Sequence, residues 1–240
     1  AGFCFWGTTI LNIWFSFAGV LLYCLVMKKK PGAMANAFLF STGLAPLITE
    51  MLFRYPGEAW HGFTGLGIVL ALAVGIFIGF IFPAVLPHSP QMHKGYDLYN
   101  AAVPIGLIAF FLRSLLYKIF TSAPPASESV GLGDSFLALS LAFCGVVFGL
   151  AIIWGLAMGG GRAYGKLLRD SGYNVDYGTK YGSGAAILNF GVYGLFIVLY
   201  YLLIGAKWNA ATLGCVFCMV CCCFKGSHPA NVWPIMVGYV

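Results

Sequence analysis

The stretch GFTGLGIVLALAVGIFIGFIFPAVL, residues 62–86, decides the class of this protein. It is apolar on every side and long enough to cross about 30 Å of hydrocarbon as a helix. A strand of a membrane barrel would alternate polar and apolar residues over about 10 positions, and this stretch does not alternate. The whole chain shares its character. Of 240 residues 60% are hydrophobic and 8% charged, with a mean hydropathy of +0.89, whereas an ordinary soluble domain carries roughly 25% charged residues. Thirty-two glycines, 11 prolines and an aromatic share of 17% suit helical spans, which tolerate Gly and Pro and place Trp and Tyr at the interfaces. The expectation is an all-α, polytopic helical membrane protein.

On either side of this stretch lie six further candidate spans, at 3–27, 33–53, 97–119, 134–158, 183–205 and 210–224. The last is short unless it runs on toward Ala230, and an eighth begins near Asn231 and is cut off, so the sequence reads as a piece of a longer polypeptide. Segment 3–27 is too long for the apolar core of a signal peptide, and its lysines follow it, so it reads as a genuine span. Alternate loops carry Lys28, Lys29, Lys30, Lys94, Arg162, Lys166, Arg169, Lys180 and Lys225 on one side, against Arg54, Lys118 and Lys207 on the other. The positive-inside bias puts the first side in the cytoplasm and the visible N-terminus outside. The basic residues serve orientation, and no nucleic-acid footprint is present. The connection 159–182 gathers Tyr164, Leu167 and Leu168 on one face and Arg162, Lys166, Arg169 and Asp170 around the other, which predicts a short interfacial helix. The Pro/Ser-rich stretch FTSAPPASESVGL, 120–132, reads as an external linker. It divides the chain into repeats at 1–120 and 133–240, with 121–132 between them.

The division rests on internal similarity. At an offset of 126 residues Gly7 meets Gly133, Leu11 meets Leu137, Phe17 meets Phe143, and Gly19 and Val20 meet Gly145 and Val146. At an offset of 148, Ala37, Gly43, Leu47, Gly57, Trp60 and Thr64 meet Ala185, Gly191, Leu195, Gly205, Trp208 and Thr212. The longer 159–182 connection absorbs the difference. Both copies then show Asn, Pro-Ile and Gly, as NAAVPIG from Asn100 and NVWPIMVG from Asn231. An even number of spans per copy makes the two copies parallel, and both loops after the first span of a copy are the basic ones. With HKGYDLYNAAVPIG at 93–106 and GSHPANVWPIMVGY at 226–239, the chain resembles a family of bacterial polytopic membrane proteins known only as a domain of unknown function. The resemblance implies a domain duplicated within the chain and a place in the bacterial inner membrane, and it assigns no substrate and no residue roles.

Ionisable residues at membrane depth are expensive, which makes each one a functional candidate. Glu50, four residues after Pro46 in STGLAPLITEMLFR, either lines a polar break or pairs with Arg54 at i+4 near the outer interface. Arg113 in the fourth span either snorkels outward or meets Glu50 from a neighbouring helix. His93, Asp97 and Asn100 share a helical face in HSPQMHKGYDLYNAAVP, and their counterparts in the second copy are His228 and Asn231. These residues line a cytoplasmic vestibule for a polar solute, or they cap helices. Asn36, Ser41 and Asn189 are uncharged polar groups inside spans, with Ser41 and Asn189 at corresponding positions, suited to a neutral solute or to joining helices. The run Cys215, Cys218, Cys221, Cys222, Cys223 contains an iron–sulfur spacing, but on a continuous helix Cys221 turns away, so small apolar thiols are the simpler reading.

No GxSxG, GxxxxGK[ST] or HExxH string occurs and the histidines are too scattered for a metal site, so neither an enzyme nor a cofactor is expected. The leading expectation is a transporter or channel for a small polar or anionic solute, sited near the interface of the repeats. Its partners are the lipid bilayer and that solute. Small-xxx-small spacing such as Gly145 to Gly149 also permits a homo-oligomer. The alternatives are a non-transporting membrane scaffold and a membrane redox protein built on Cys215 to Cys223.

Overall fold

A computed structural model describes residues 2–94, 101–125 and 132–237, except for the side chain of His93. The described residues are helical, with no strand among them. The protein is therefore an all-helical, polytopic membrane protein, and among the described residues five segments are long and apolar enough to cross a bilayer: Pro31–Phe53, Gly65–Met92, Ala102–Ile119, Asp134–Ala157 and Ser183–Leu203. Two apolar helices are shorter, Ile13–Val26 and Ala210–Phe224. The described residues form two compact units, one of 6–93 with 101–125 and the other of 2–5 with 94 and 132–237.

The first unit holds α2 (Ile13–Val26), α3 (Ala35–Ser41), α4 (Ala45–Phe53), α5 (Gly65–Val85), α6 (Ser89–His93) and α7 (Ala102–Ser114), preceded in the chain by α1 (Gly2–Phe5). Here α2 lies along α5 so closely that a Cβ on Gly79 would overlap the Ser16 carbonyl and one on Gly19 the Ile76 carbonyl. Val20, Ile48, Met51, Ile78 and Phe82 fill the core beside this crossing.

The expected first span, 3–27, is not continuous. Between α1 and α2 the chain breaks at Gly7, whose φ of +98° suits glycine. The buried Asn12 holds the break open: its Nδ2 donates to the Gly7 carbonyl and to Thr49 Oγ1, both at 2.8 Å, and its Oδ1 accepts from Thr9 N at 2.8 Å. At about 1.5 Å per residue the 14 residues of α2 reach only about 21 Å.

The second span is interrupted by a 3-10 turn at Thr42–Leu44 between α3 and α4. Pro46 carries no N–H for the Thr42 carbonyl one turn back; that carbonyl accepts from Ala45 N within the 3-10 turn and from Thr8 Oγ1 at 3.0 Å. The Thr64 hydroxyl caps α5 by accepting from Gly67 N at 3.0 Å, and α7 runs on as a π-helical turn, Leu115–Ile119.

The second unit holds α8 (Asp134–Ala157), α9 (Gly161–Leu167), α10 (Tyr177–Tyr181), α11 (Ser183–Leu203), α12 (Ala210–Val220) and α13 (Trp233–Val237). α8 packs on α11 through glycines: a Cβ on Gly191 would stand 2.6 Å from the Phe148 carbonyl. α1 lies on α12 in this unit, where Phe5 stacks on Phe217 with ring centroids 5.7 Å apart.

The 159–182 connection holds a short helix, α9, which buries Leu167 and exposes Arg162 and Lys166. A second short helix, α10, follows it, capped by Asp176 Oδ1 accepting from Thr179 N at 3.0 Å. The seventh span does not run on to Ala230. After α12 a 3-10 turn, Cys221–Phe224, ends it, and the chain reverses at Gly226, where φ is +124°.

Candidate functional site

Past α12, in the 3-10 turn and the reversal that follow it, backbone carbonyls have no helical donors. In an apolar surround each such group costs several kcal/mol unless something donates to it. The donor is Asn189, on the second turn of α11 and fully buried. Its Nδ2 donates to the Cys223 carbonyl at 3.0 Å and to the Ser227 carbonyl at 2.9 Å. That commits both amide hydrogens. Its Oδ1 is buried with no partner, as are the hydroxyls of Ser227 and Tyr164.

Beside this turn the 170–182 connection locks onto 225–231. Asp170 Oδ2 accepts from Lys180 Nζ and from the Tyr181 hydroxyl, both at 2.6 Å, and Oδ1 accepts from Gly172 N at 3.0 Å. These bonds, the Lys180 one foremost, hold the carboxyl well below the usual carboxylate range. The Asp170 carbonyl accepts from His228 Nε2 at 2.9 Å, while His228 Nδ1 accepts from Ala230 N at 3.1 Å. An accepting Nδ1 places the single ring proton on Nε2, so the imidazole is neutral. Burial lowers its pKa from 6.5.

Asn231 Oδ1 caps the His228 amide at 2.9 Å, and its Nδ2 donates to the Gly226 carbonyl at 2.7 Å and to the Ser171 carbonyl at 3.2 Å. The Tyr177 hydroxyl also donates to the Gly226 carbonyl, at 2.7 Å. Gly172 and Gly226 meet backbone to backbone, both at positive φ, and a Cβ on either would overlap the other's carbonyl. At the exposed edge of this turn Asp176 pairs with Lys225 at 2.5 Å, chiefly on which account its carboxyl falls to about 2.

In the first unit Glu50 pairs with Arg54 at 2.6 Å, one turn apart on α4. Arg54 is almost fully buried and also donates to the Glu58 carbonyl at 3.0 Å and the Pro124 carbonyl at 2.7 Å. Of the two partners considered for Glu50, Arg54 makes this salt bridge, and Arg113 is exposed. Asn36 is exposed near the start of α3, so it does not sit among polar partners within the unit. Ser41 is buried but spends its hydroxyl on the Phe38 carbonyl of its own helix, at 3.0 Å. The His93 side chain, Asp97 and Asn100 lie outside the described residues.

The structure thus brings Asn189, His228 and Asn231 together and leaves Asn36, Ser41, Glu50 and Arg113 elsewhere. Asp170, Tyr164, Ser227 and Asn12 join the polar sites without having been singled out for them. Asp170 carries a local signal, since Asp-Ser-Gly is a turn sequence, and Asn12 is the lone amide between Gly7 and Trp14. The eight cysteines are free thiols. Cys221 and Cys222 point their thiols at the Cys218 carbonyl of their own helix, and among the described residues no three His, Cys, Asp or Glu side chains are placed to hold a metal.

The interrupted helices and their buried amides define a polytopic helical membrane protein with a buried polar cluster beside the apolar core of each unit. The chain belongs to the family described as protein of unknown function (DUF1576), whose sequence model matches residues 1–118 and 161–240, in keeping with a domain that occurs twice. No curated protein and no solved structure matches it.

Proposed function

We propose that this protein is a transporter or channel for a small polar solute in a bacterial inner membrane, with its basic loops facing the cytoplasm. The observation that carries the reading is a pair of polar backbone sites held by buried asparagines, the helix break at Gly7 held by Asn12 and the turn that ends the Ala210–Phe224 helix held by Asn189. Solute carriers use discontinuous helices to bring polar backbone to membrane depth. A protein that only needed to pack would place continuous apolar helices there at less cost.

The test is stopped-flow light scattering on proteoliposomes holding the full-length protein, challenged with a panel of small neutral and anionic solutes against empty vesicles. Faster relaxation for at least one solute supports the reading. Traces that match empty vesicles for every solute, from protein that still elutes as a single folded species, overturn it in favour of a scaffold. An Asn189→Ala variant is expected to lose the flux.

A further inference from the structure

The turn that ends the Ala210–Phe224 helix holds more hydrogen-bonding capacity than the protein uses. Asn189 and Ser227 are both fully buried, and each carries an oxygen without a partner. The two are joined directly, since Asn189 Nδ2 donates to the Ser227 carbonyl, so both free oxygens belong to the same turn. Tyr164 brings a third. Its ring packs against the cluster of Leu167, Tyr177, Ala185 and Ala186, its hydroxyl is buried without a partner, and Tyr177 of the same cluster donates to the Gly226 carbonyl, next to Ser227. Ala185 and Ala186 stand four and three residues before Asn189, on the same face of α11.

Leaving a buried polar atom unpaired costs roughly 1–3 kcal/mol, so three around one turn form a prepared site. We infer that Asn189 Oδ1, Ser227 Oγ and Tyr164 Oη bind the transported solute, and that this solute is an uncharged hydrogen-bond donor of the urea, amide or polyol class. The inference rests on the transport reading above and narrows it.

The charge around the turn selects the class. An anion needs donors: both Asn189 amide hydrogens are committed to carbonyls, which leaves the hydroxyls of Ser227 and Tyr164, while Asn189 Oδ1 can only accept and repels an anion. The partial negative charge at the helix end also disfavours it. A cation needs a free carboxylate to offset its burial. Asp170 already accepts from Lys180, Tyr181 and Gly172, and Asp176 is paired with Lys225. The His228 ring is neutral with both nitrogens in use. What remains is three oxygens, one of them an obligate acceptor, which matches a neutral molecule bearing N–H or O–H groups.

Ser227→Ala and Tyr164→Phe make the test clean, because each deletes a hydroxyl that bonds nothing in the protein. A purely structural role predicts unchanged or raised melting temperature and unchanged flux. The proposal predicts wild-type melting together with uptake of urea, formamide or glycerol slowed about three- to tenfold, the loss of one hydrogen bond, in the proteoliposome assay. Sodium formate and sodium nitrate are expected to enter no faster than into empty vesicles. Flux of the anions alone, or neutral-solute flux that both variants leave intact, overturns this inference while the transport reading stands. Absence of flux for every solute overturns both.

Discussion

At the scale of single residues, two side chains carry sharp predictions. Arg54 is buried against Glu50, so Glu50→Gln removes the charge that offsets a guanidinium held out of water. Breaking a buried pair from one side costs up to 3–5 kcal/mol. The Glu58 and Pro124 carbonyls still accept from Arg54, which brings the expected loss to about 2 kcal/mol, read as a drop of several degrees in melting temperature in detergent. An unchanged melting temperature would refute the pairing. His228 sets a pH dependence. Burial places its folded-state pKa below the 6.5 of a free imidazole, so as pH falls the unfolded chain takes up a proton first. The stability this ring contributes is whole above about pH 6.5 and declines as pH drops below that value toward the folded pKa. Asp170, held far lower, keeps its charge throughout and adds nothing to the slope there. Melting temperature should fall from pH 7 to pH 5.5, and His228→Gln should flatten that fall; a slope that survives the substitution would assign it to other groups. The sequence shows such residues as types without partners. Glu50 and Arg54 are legible as an i,i+4 pair because both sit on one helix, whereas the bond between His228 and Asp170 spans 58 residues and leaves no local trace.

The helices themselves are legible where composition alone decides them. The 62–86 stretch is a helix because nothing in it offers water a reason to stay, and α5 covers most of it. Breaks are harder to read, because they depend on what a neighbour supplies. Pro46 signals a freed carbonyl, yet that Thr8 reaches it follows only from the fold. Gly7 and Asn12 look like ordinary small and polar residues in an apolar run until the amide is seen bridging to α4. Glycine at a helix crossing is likewise ambiguous in sequence and unambiguous in space. Gly79→Ala drives a methyl into the Ser16 carbonyl, and because both groups belong to packed backbone, α2 and α5 must separate. The expected cost is about 1–3 kcal/mol, measured by thermal or denaturant unfolding in micelles. Gly145→Ala, where a Cβ meets nothing within 4 Å, is the matched control and should be neutral to within about 0.5 kcal/mol.

For the whole molecule, repetition in sequence is not repetition in packing. Gly7 and Gly133, paired at the 126-residue offset in the sequence, both have positive φ, at +98° and +87°. Yet α2 packs chiefly on α5, whereas α8 packs chiefly on α11, the next long apolar helix in the chain. The longer 159–182 connection gives the second unit a lock of Asp170, Tyr177 and His228 that the first has no sequence to build. Each unit has its own apolar core, around Ile78 and Phe82 in one and around Phe148 and Val216 in the other. Orientation is open to direct test within the first unit: a protease site inserted after Lys29 should be cut only in opened vesicles, and one inserted after Glu58 in sealed right-side-out vesicles. The reverse pattern would invert the topology. Asn189 also constrains how the protein is made. The carbonyls it serves lie 34 and 38 residues further on, so α11 is synthesised before they are, and a chain that stops between the two lacks them. Until that turn arrives, the helix carries a bare amide toward lipid. A chain halted after Leu203 therefore holds α11 in the membrane less firmly than its hydropathy implies, and the residues around Ser227 complete the insertion of a helix translated well before them.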